Sequence, residues 1–202
     1  MNNKILISIS GKSGAGKSIF SMHLANFLDA KLLSLDKISH MSLEDNEIKN
    51  KLFNIFGSEI FDENNSIIRK KLGSVVFTNK EKLEKLNAIS QNFMEDYFDE
   101  TIKNSTNKFI ILEYALLTKM KYFNQSKFKI LIQASEKTRL SRLSERDKVS
   151  EEYLKNREKN LPDFNDNDFD FVVSNDINFE NNLTKIAENI AKKIQTSINW
   201  TF

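Results

Sequence analysis

Residues 4–18 read Lys4-Ile5-Leu6-Ile7-Ser8-Ile9-Ser10-Gly11-Lys12-Ser13-Gly14-Ala15-Gly16-Lys17-Ser18. The first seven form a short apolar run of the kind found in strands buried on both faces of a parallel sheet. The next eight, Gly11 to Ser18, match G-x-x-x-x-G-K-[ST] in full, and a helical pattern over about Lys17–Leu28 follows at once. Glycines let the backbone curl until successive N–H groups point inward, and the following helix adds the positive end of its dipole. Lys17 supplies a charge to β- and γ-phosphates, and the Ser18 hydroxyl is placed to ligate Mg²⁺. Only five glycines occur in the 202 residues and three of them stand in this loop, so a chance glycine turn explains it poorly. The stretch comprising Gly11, Ser13, Gly14, Ala15, Gly16, Lys17, Ser18 and Ile19 is therefore expected to hold ATP or GTP with Mg²⁺.

Working outward, four more short apolar runs recur: Lys31–Asp36, Phe109–Ala115, Phe128–Ala134 and Phe169–Ser174. Helical patterns separate them, at Leu43–Asn104, Glu136–Arg146, Ser150–Asn160 and Phe179–Ile198. Strands alternating with helices predict an α/β fold, a P-loop NTPase three-layer sandwich around a five-stranded parallel sheet. The spacing is uneven. Helical periodicity (Ile48, Leu52, Ile55; Leu83, Leu86, Ile89, Phe93) fills most of the gap between strands two and three. One domain over 1–202 is expected, with its core at about 1–40, 105–135 and 165–202. A helical acceptor-binding insertion over about 41–104 would sit on the sheet's carboxyl edge, where open α/β sheets bind ligands. A lid over about 136–164 would carry two helices hinged near Asp147–Val149. The polar stretch Asp163–Asp170 reads as a solvated turn, lacking the glycine and final Glu of a calcium loop.

Composition narrows the function. Thirty basic residues against 28 acidic give +2, which argues against a nucleic-acid binder working through bulk charge. No run approaches the roughly 18 apolar residues of a membrane span, and no signal-peptide pattern opens the chain. Cysteine is absent, which excludes disulfides, thiolate metal sites and cysteine nucleophiles. A cytoplasmic protein acting on a small molecule is expected, with the oligomeric state left open. A GTPase would need Asn-Lys-x-Asp, but Asn79-Lys80-Glu81-Lys82 puts Lys where the guanine-pairing acid belongs. A small phosphotransferase, with inserted helices for the acceptor and an arginine-rich lid over ATP, fits the layout best.

The acceptor side begins where strand two ends, at Ser34-Leu35-Asp36-Lys37-Ile38-Ser39-His40. A carboxylate at Asp36 can orient an attacking hydroxyl, accept its proton or hold a water on Mg²⁺; it can also cap a helix. Strand three ends in Glu113, followed by Tyr114 and Ala115, without the paired acids usual in an ATPase motor. Among 30 basic residues only five are arginine, and four of these fall between 139 and 157. Arg139, Arg142 and Arg146 stand three and four apart, hence on one helix face, suited to neutralising a triphosphate. A solvated helix surface is the competing reading, strongest for Arg139. Arg69, isolated in the insertion, suggests a fixed anion.

With these residues in place, the chain resembles dephospho-CoA kinases over nearly its whole length. Asp36-Lys37-Ile38 looks like the second half of that family's Asp-x-Asp, and Phe56-Gly57 like its Phe-Gly. Arg69 with Leu72-Gly73 and Val76-Phe77 follows its Asp-Arg-x-x-Leu-(Gly)-x-x-Val-Phe stretch. Leu116-Leu117 echoes its Pro-Leu-Leu, and Arg142, Arg146, Ser150 and Arg157 fall at its lid spacing. Asp170 with Asn175 resembles its Ala-Asp-x-x-(Ile/Val)-x-Asn. Departures cluster on the acceptor side. Ser34 replaces the first acid of Asp-x-Asp, Ala88-Ile89 replaces a His-Pro pair, and Glu113, Ala115 and Lys119 stand where Asp, Pro and an acid are usual.

The resemblance implies transfer of the ATP γ-phosphoryl group to the ribose 3′-hydroxyl of dephospho-CoA, giving coenzyme A and ADP. It implies catalytic roles for Asp36, Lys17, Arg69, Arg142 and Arg146, nucleotide contacts from Gly11, residues 13–19, Arg142 and Asn175, and Mg²⁺ held by Ser18, Asp36 and Glu113. A nucleoside or nucleoside-monophosphate kinase of the same fold is the alternative enzyme, and a non-catalytic nucleotide-binding protein the alternative class.

Overall fold

The computed structural model describes residues 4–148, 154, 162–176 and 180–199. Five strands, β1 (Ile5–Ser10), β2 (Lys31–Ser34), β3 (Phe109–Glu113), β4 (Phe128–Gln133) and β5 (Phe171–Ser174), form one sheet. The order is β2-β3-β1-β4-β5 and every pairing is parallel. Among the described residues the helices are α1 (Lys17–Leu28), α2 (Leu35–Ser42), α3 (Asn46–Phe56), α4 (Arg69–Val76), α5 (Lys80–Asn104), α6 (Lys121–Gln125), α7 (Glu136–Asp147) and α8 (Glu180–Asn199). The α/β fold expected from the alternating pattern is the one observed. The chain divides into two compact units, Met1–Ser34 with Ser105–Phe202, and Leu35–Asn104.

The sheet unit is built on period-two burial. Ile5, Ile7 and Ile9 of β1 join Phe109 and Ile111 of β3 and Ile130 and Ile132 of β4 in one apolar layer. Helices α1 and α8 pack together over it through Phe20, Leu24, Ala187, Ile190 and Ile194. The alternate residues face the other side, where the buried Ser8 and Ser126 hydroxyls lie 2.6 Å apart. Register puts Ile9 opposite Glu113 and Ser34 opposite Glu113. The carboxyl ends of three strands therefore finish level with the start of the glycine loop.

The unit Leu35–Asn104 has its own core, made by Leu43, Ile48, Leu52, Phe56, Ile60, Leu72 and Val76. Asp45 caps α3, its carboxylate accepting from the Ile48 N–H at 3.0 Å. Ile55, expected on the buried face, is exposed; the i, i+4 row from Ile48 and Leu52 continues to Phe56 instead. The helical block is also interrupted. A turn at Asp62–Ser66, with Asn65 left-handed at φ 58°, brings Phe61 opposite Ile67 in an isolated antiparallel bridge.

Strands two and five each differ from expectation by two residues at one end. The second strand stops at Ser34, and Leu35 and Asp36 open α2, so Asp36 lies inside the first turn and not at the cap. The fifth strand begins at Phe171; just before it, the Asp170 N–H donates to the Lys129 carbonyl at 2.9 Å and the Asp170 carboxylate accepts from the Lys129 N–H at 2.7 Å. Helix α7 ends at Lys148, left-handed at φ 51°. Of the second lid helix expected at Ser150–Asn160, Leu154 alone is described, helical and buried with Leu140 and Leu143; Arg157 lies outside the described residues.

Candidate active site

The glycine loop joins β1 to α1 with three residues at positive φ: Gly11, Gly14 and Gly16. At Gly16, φ 100°, the chain turns into α1, whose first N–H groups have no helical partner and face any ligand in the loop. Lys17 is buried, 6% exposed, with its ammonium 3.4 Å from the Lys12 carbonyl. Its charge is thus folded back over the loop. Ser18 and Ile19 stay exposed on the first turn of α1.

Beside the loop sits an acid. Glu113 is 1% exposed at the end of β3, and its Oε2 accepts from two hydroxyls, Ser34 at 2.9 Å and Ser18 at 3.4 Å. Ser34 comes from the neighbouring strand and Ser18 from the helix, so one carboxylate oxygen ties β2, β3 and α1 together. A buried carboxylate is tolerated only with such donors. The donor set fits Mg²⁺: hard oxygens, one carboxylate and one hydroxyl, leaving the remaining positions to phosphate and water.

Opposite, α7 and the end of β5 close on the loop. Ser135 caps α7 by accepting from the Thr138 N–H at 3.3 Å. Arg139 and Arg142 both point at the loop. Arg139 Nη1 donates to the Ser13 carbonyl at 3.3 Å and Nε to the Ala134 carbonyl at 3.2 Å. Arg142 Nη1 donates to the Gly14 carbonyl at 3.2 Å and Nη2 to the Asn175 carbonyl at 2.9 Å. The Asn175 side-chain amide donates to the Ala15 carbonyl at 2.8 Å. Arg139, expected as the most solvated of the three arginines, is 4% exposed. The three-and-four arginine spacing in a lysine-rich chain was the available signal for it.

Arg146 does not join them; its guanidinium forks onto the adjacent Asp147 carboxylate at 2.6 and 3.0 Å and remains largely exposed. Arg69 is exposed at the first residue of α4, in the other unit. Asp36 and His40 belong to α2, and their side chains lie outside the described residues. Asp176, just beyond Asn175, accepts from the Ser135 N–H at 2.6 Å, which holds its carboxyl below the ordinary 3.8.

The model of the family described as dephospho-CoA kinase matches residues 5–181. The chain belongs to the dephospho-CoA kinase family. Within it, the chain is 34% identical over 190 residues to the dephospho-CoA kinase of Fusobacterium nucleatum, covering 90% of this chain and 95% of that one. The dephospho-CoA kinase structure from Campylobacter jejuni aligns with 26% identity and a TM-score of 0.59, over 95% of this chain and 98% of that one. The crystal structure of TT1252 from Thermus thermophilus shares the fold at a TM-score of 0.74 and 22% identity, over 94% and 97%. Family membership makes the chain an ATP-dependent kinase with a small-molecule substrate. Among the described residues no helix is long and apolar enough to cross a membrane.

Proposed function

We propose that this chain transfers the γ-phosphoryl group of ATP to the ribose 3′-hydroxyl of dephospho-CoA, yielding coenzyme A and ADP, in the cytoplasm. The observation that carries the reading is the Glu113–Ser18 contact beside a complete phosphate loop, in a chain matching the dephospho-CoA kinase family over residues 5–181. Phosphoryl transfer asks little covalent chemistry of a protein. It asks for in-line positioning and for charge on the transferring oxygens.

The loop amides and Lys17 would hold the phosphates, with Ile19 and Asn175 bordering the nucleotide. Ser18, Glu113 and Asp36 would hold Mg²⁺, which when bound neutralises charge on the phosphate oxygens. Asp36, two residues beyond Ser34, would orient the acceptor hydroxyl and accept its proton. Arg142, already at the loop, would steady the developing charge, joined by Arg146 and Arg69. Residues 41–104 would grip the acceptor and 136–164 would cover ATP.

Asp36→Asn separates these roles. The variant is expected to bind Mg²⁺-free ADP as the wild type does by calorimetry, while ADP formation with dephospho-CoA drops by about 10²–10⁴, the usual share of a positioned general base. Unchanged turnover in the variant would remove Asp36 from the chemistry.

A further inference from the structure

Three consecutive carbonyls of the phosphate loop each receive a side-chain donor from outside it. Ser13 O is held by Arg139, Gly14 O by Arg142 and Ala15 O by Asn175. Before them, Lys12 O accepts from the Lys17 ammonium and from the Ala15 N–H, which closes a turn. A trans peptide is planar, with its C=O and the next N–H on opposite sides. Holding Ser13 O toward Arg139 therefore aims the Gly14 N–H the other way, and holding Ala15 O toward Asn175 does the same for the Gly16 N–H.

The loop's glycines are matched to these donors. A Cβ on Gly14 would stand 2.8 Å from the Arg139 carbonyl oxygen and 3.1 Å from its Cα, and one on Gly16 would collide with the Asn175 amide nitrogen. Gly14 and Gly16 lack side chains at the two places where α7 and β5 press closest. Arg139 and Asn175 are themselves buried, at 4% and 7% exposure, so they offer a ligand little surface of their own. Their donors are turned to the loop.

We propose that Arg139 and Asn175, together with Arg142, are positioning residues. They fix the peptide planes of residues 13–16 before nucleotide arrives, turning the Gly14 and Gly16 amides to the phosphates and keeping the Ala15 N–H on the Lys12 carbonyl. Preordering of this kind removes part of the ordering cost of binding. It also gives Asn175 a different part from a direct nucleotide contact: its side chain acts on ATP through the Ala15 peptide. The inference rests on the loop being the ATP site and is independent of the acceptor.

The test uses the full chain, ADP and inorganic tripolyphosphate, with calorimetry and no acceptor present. Asn175→Asp keeps the shape but sets a carboxylate against the Ala15 carbonyl; Arg139→Gln removes the guanidinium from α7. Each is expected to weaken ADP and tripolyphosphate by the same factor, on the order of tenfold for one lost buried hydrogen bond. The KM for ATP is expected to rise with the KM for acceptor unchanged, a split that general loosening of the fold does not produce. Arg139→Lys, which keeps charge and most of the length, decides the matter if either variant fails to fold. Folded variants that bind ADP and tripolyphosphate like the wild type would overturn the proposal and leave dephospho-CoA transfer standing. Wild-type protein that binds ADP but phosphorylates no dephospho-CoA would do the reverse.

Discussion

At the scale of single residues, Glu113 carries more of the site than its place in the sequence announces. Its neighbour in sheet register is Ser34, and the 2.9 Å bond between them leaves the same oxygen within reach of Ser18. Replacing the acid by its amide keeps the shape but removes the charge and can set an amide donor against two hydroxyls that already donate. Glu113→Gln is expected to raise the Mg²⁺ concentration needed for half-maximal rate and to lower kcat/KM roughly a hundredfold, in line with losing one electrostatic group. Initial rates over a Mg²⁺ series read both effects. The loop octet was legible because its residues are contiguous and each has a fixed task. The Ser34–Glu113 bond was not, since it joins residues 79 apart through the pairing of β2 with β3. Ser34 registered in the sequence only as a missing acid.

At the scale of elements, helix α7 shows how local rules and tertiary packing divide the work. Its start is written locally: Ser135 caps it and Glu136 stands in its first turn. Its arginine row at 139 and 142 was visible as a periodicity, yet periodicity gives a face and not what the face meets. Packing against Gly14 settled that, and turned Arg139 from a surface residue into a buried one. The same limit applies at β2, where an apolar run through Leu35 concealed the switch from strand to helix at that residue.

The contact of Asp176 with the Ser135 N–H joins this cap to the end of β5. Because the folded carboxyl titrates below its ordinary 3.8, its stabilising contribution is present above that value and is lost as pH falls through the folded pKa. Wild type is therefore expected to melt above Asp176→Asn at neutral pH, with the gap constant down to about pH 5 and closing below the ordinary carboxylate value. Thermal melts across that range check it; a gap that widens in acid would contradict the assignment.

At the scale of the whole molecule, two units with separate cores follow from one uneven spacing in the chain. The sheet order, with β1 between β3 and β4, places the glycine loop at the centre of the carboxyl edge, and α1 and α8 cover one face of the sheet. That architecture was legible because each strand is short, apolar and followed by a helical pattern. Of the departures from the family pattern, Ser34 and Glu113 meet beside Ser18, whereas those at Ala88, Ile89, Ala115 and Lys119 are expected to bear on the acceptor, whose recognition depends on shape that no local pattern encodes.

The acceptor is accordingly the decisive readout. Wild-type protein is to be incubated with γ-labelled ATP, Mg²⁺ and, in separate reactions, dephospho-CoA, a panel of nucleosides and a panel of nucleoside monophosphates. The label is expected on dephospho-CoA alone, at its ribose 3′-oxygen. Label on a nucleoside or a monophosphate, with dephospho-CoA untouched, would contradict the account.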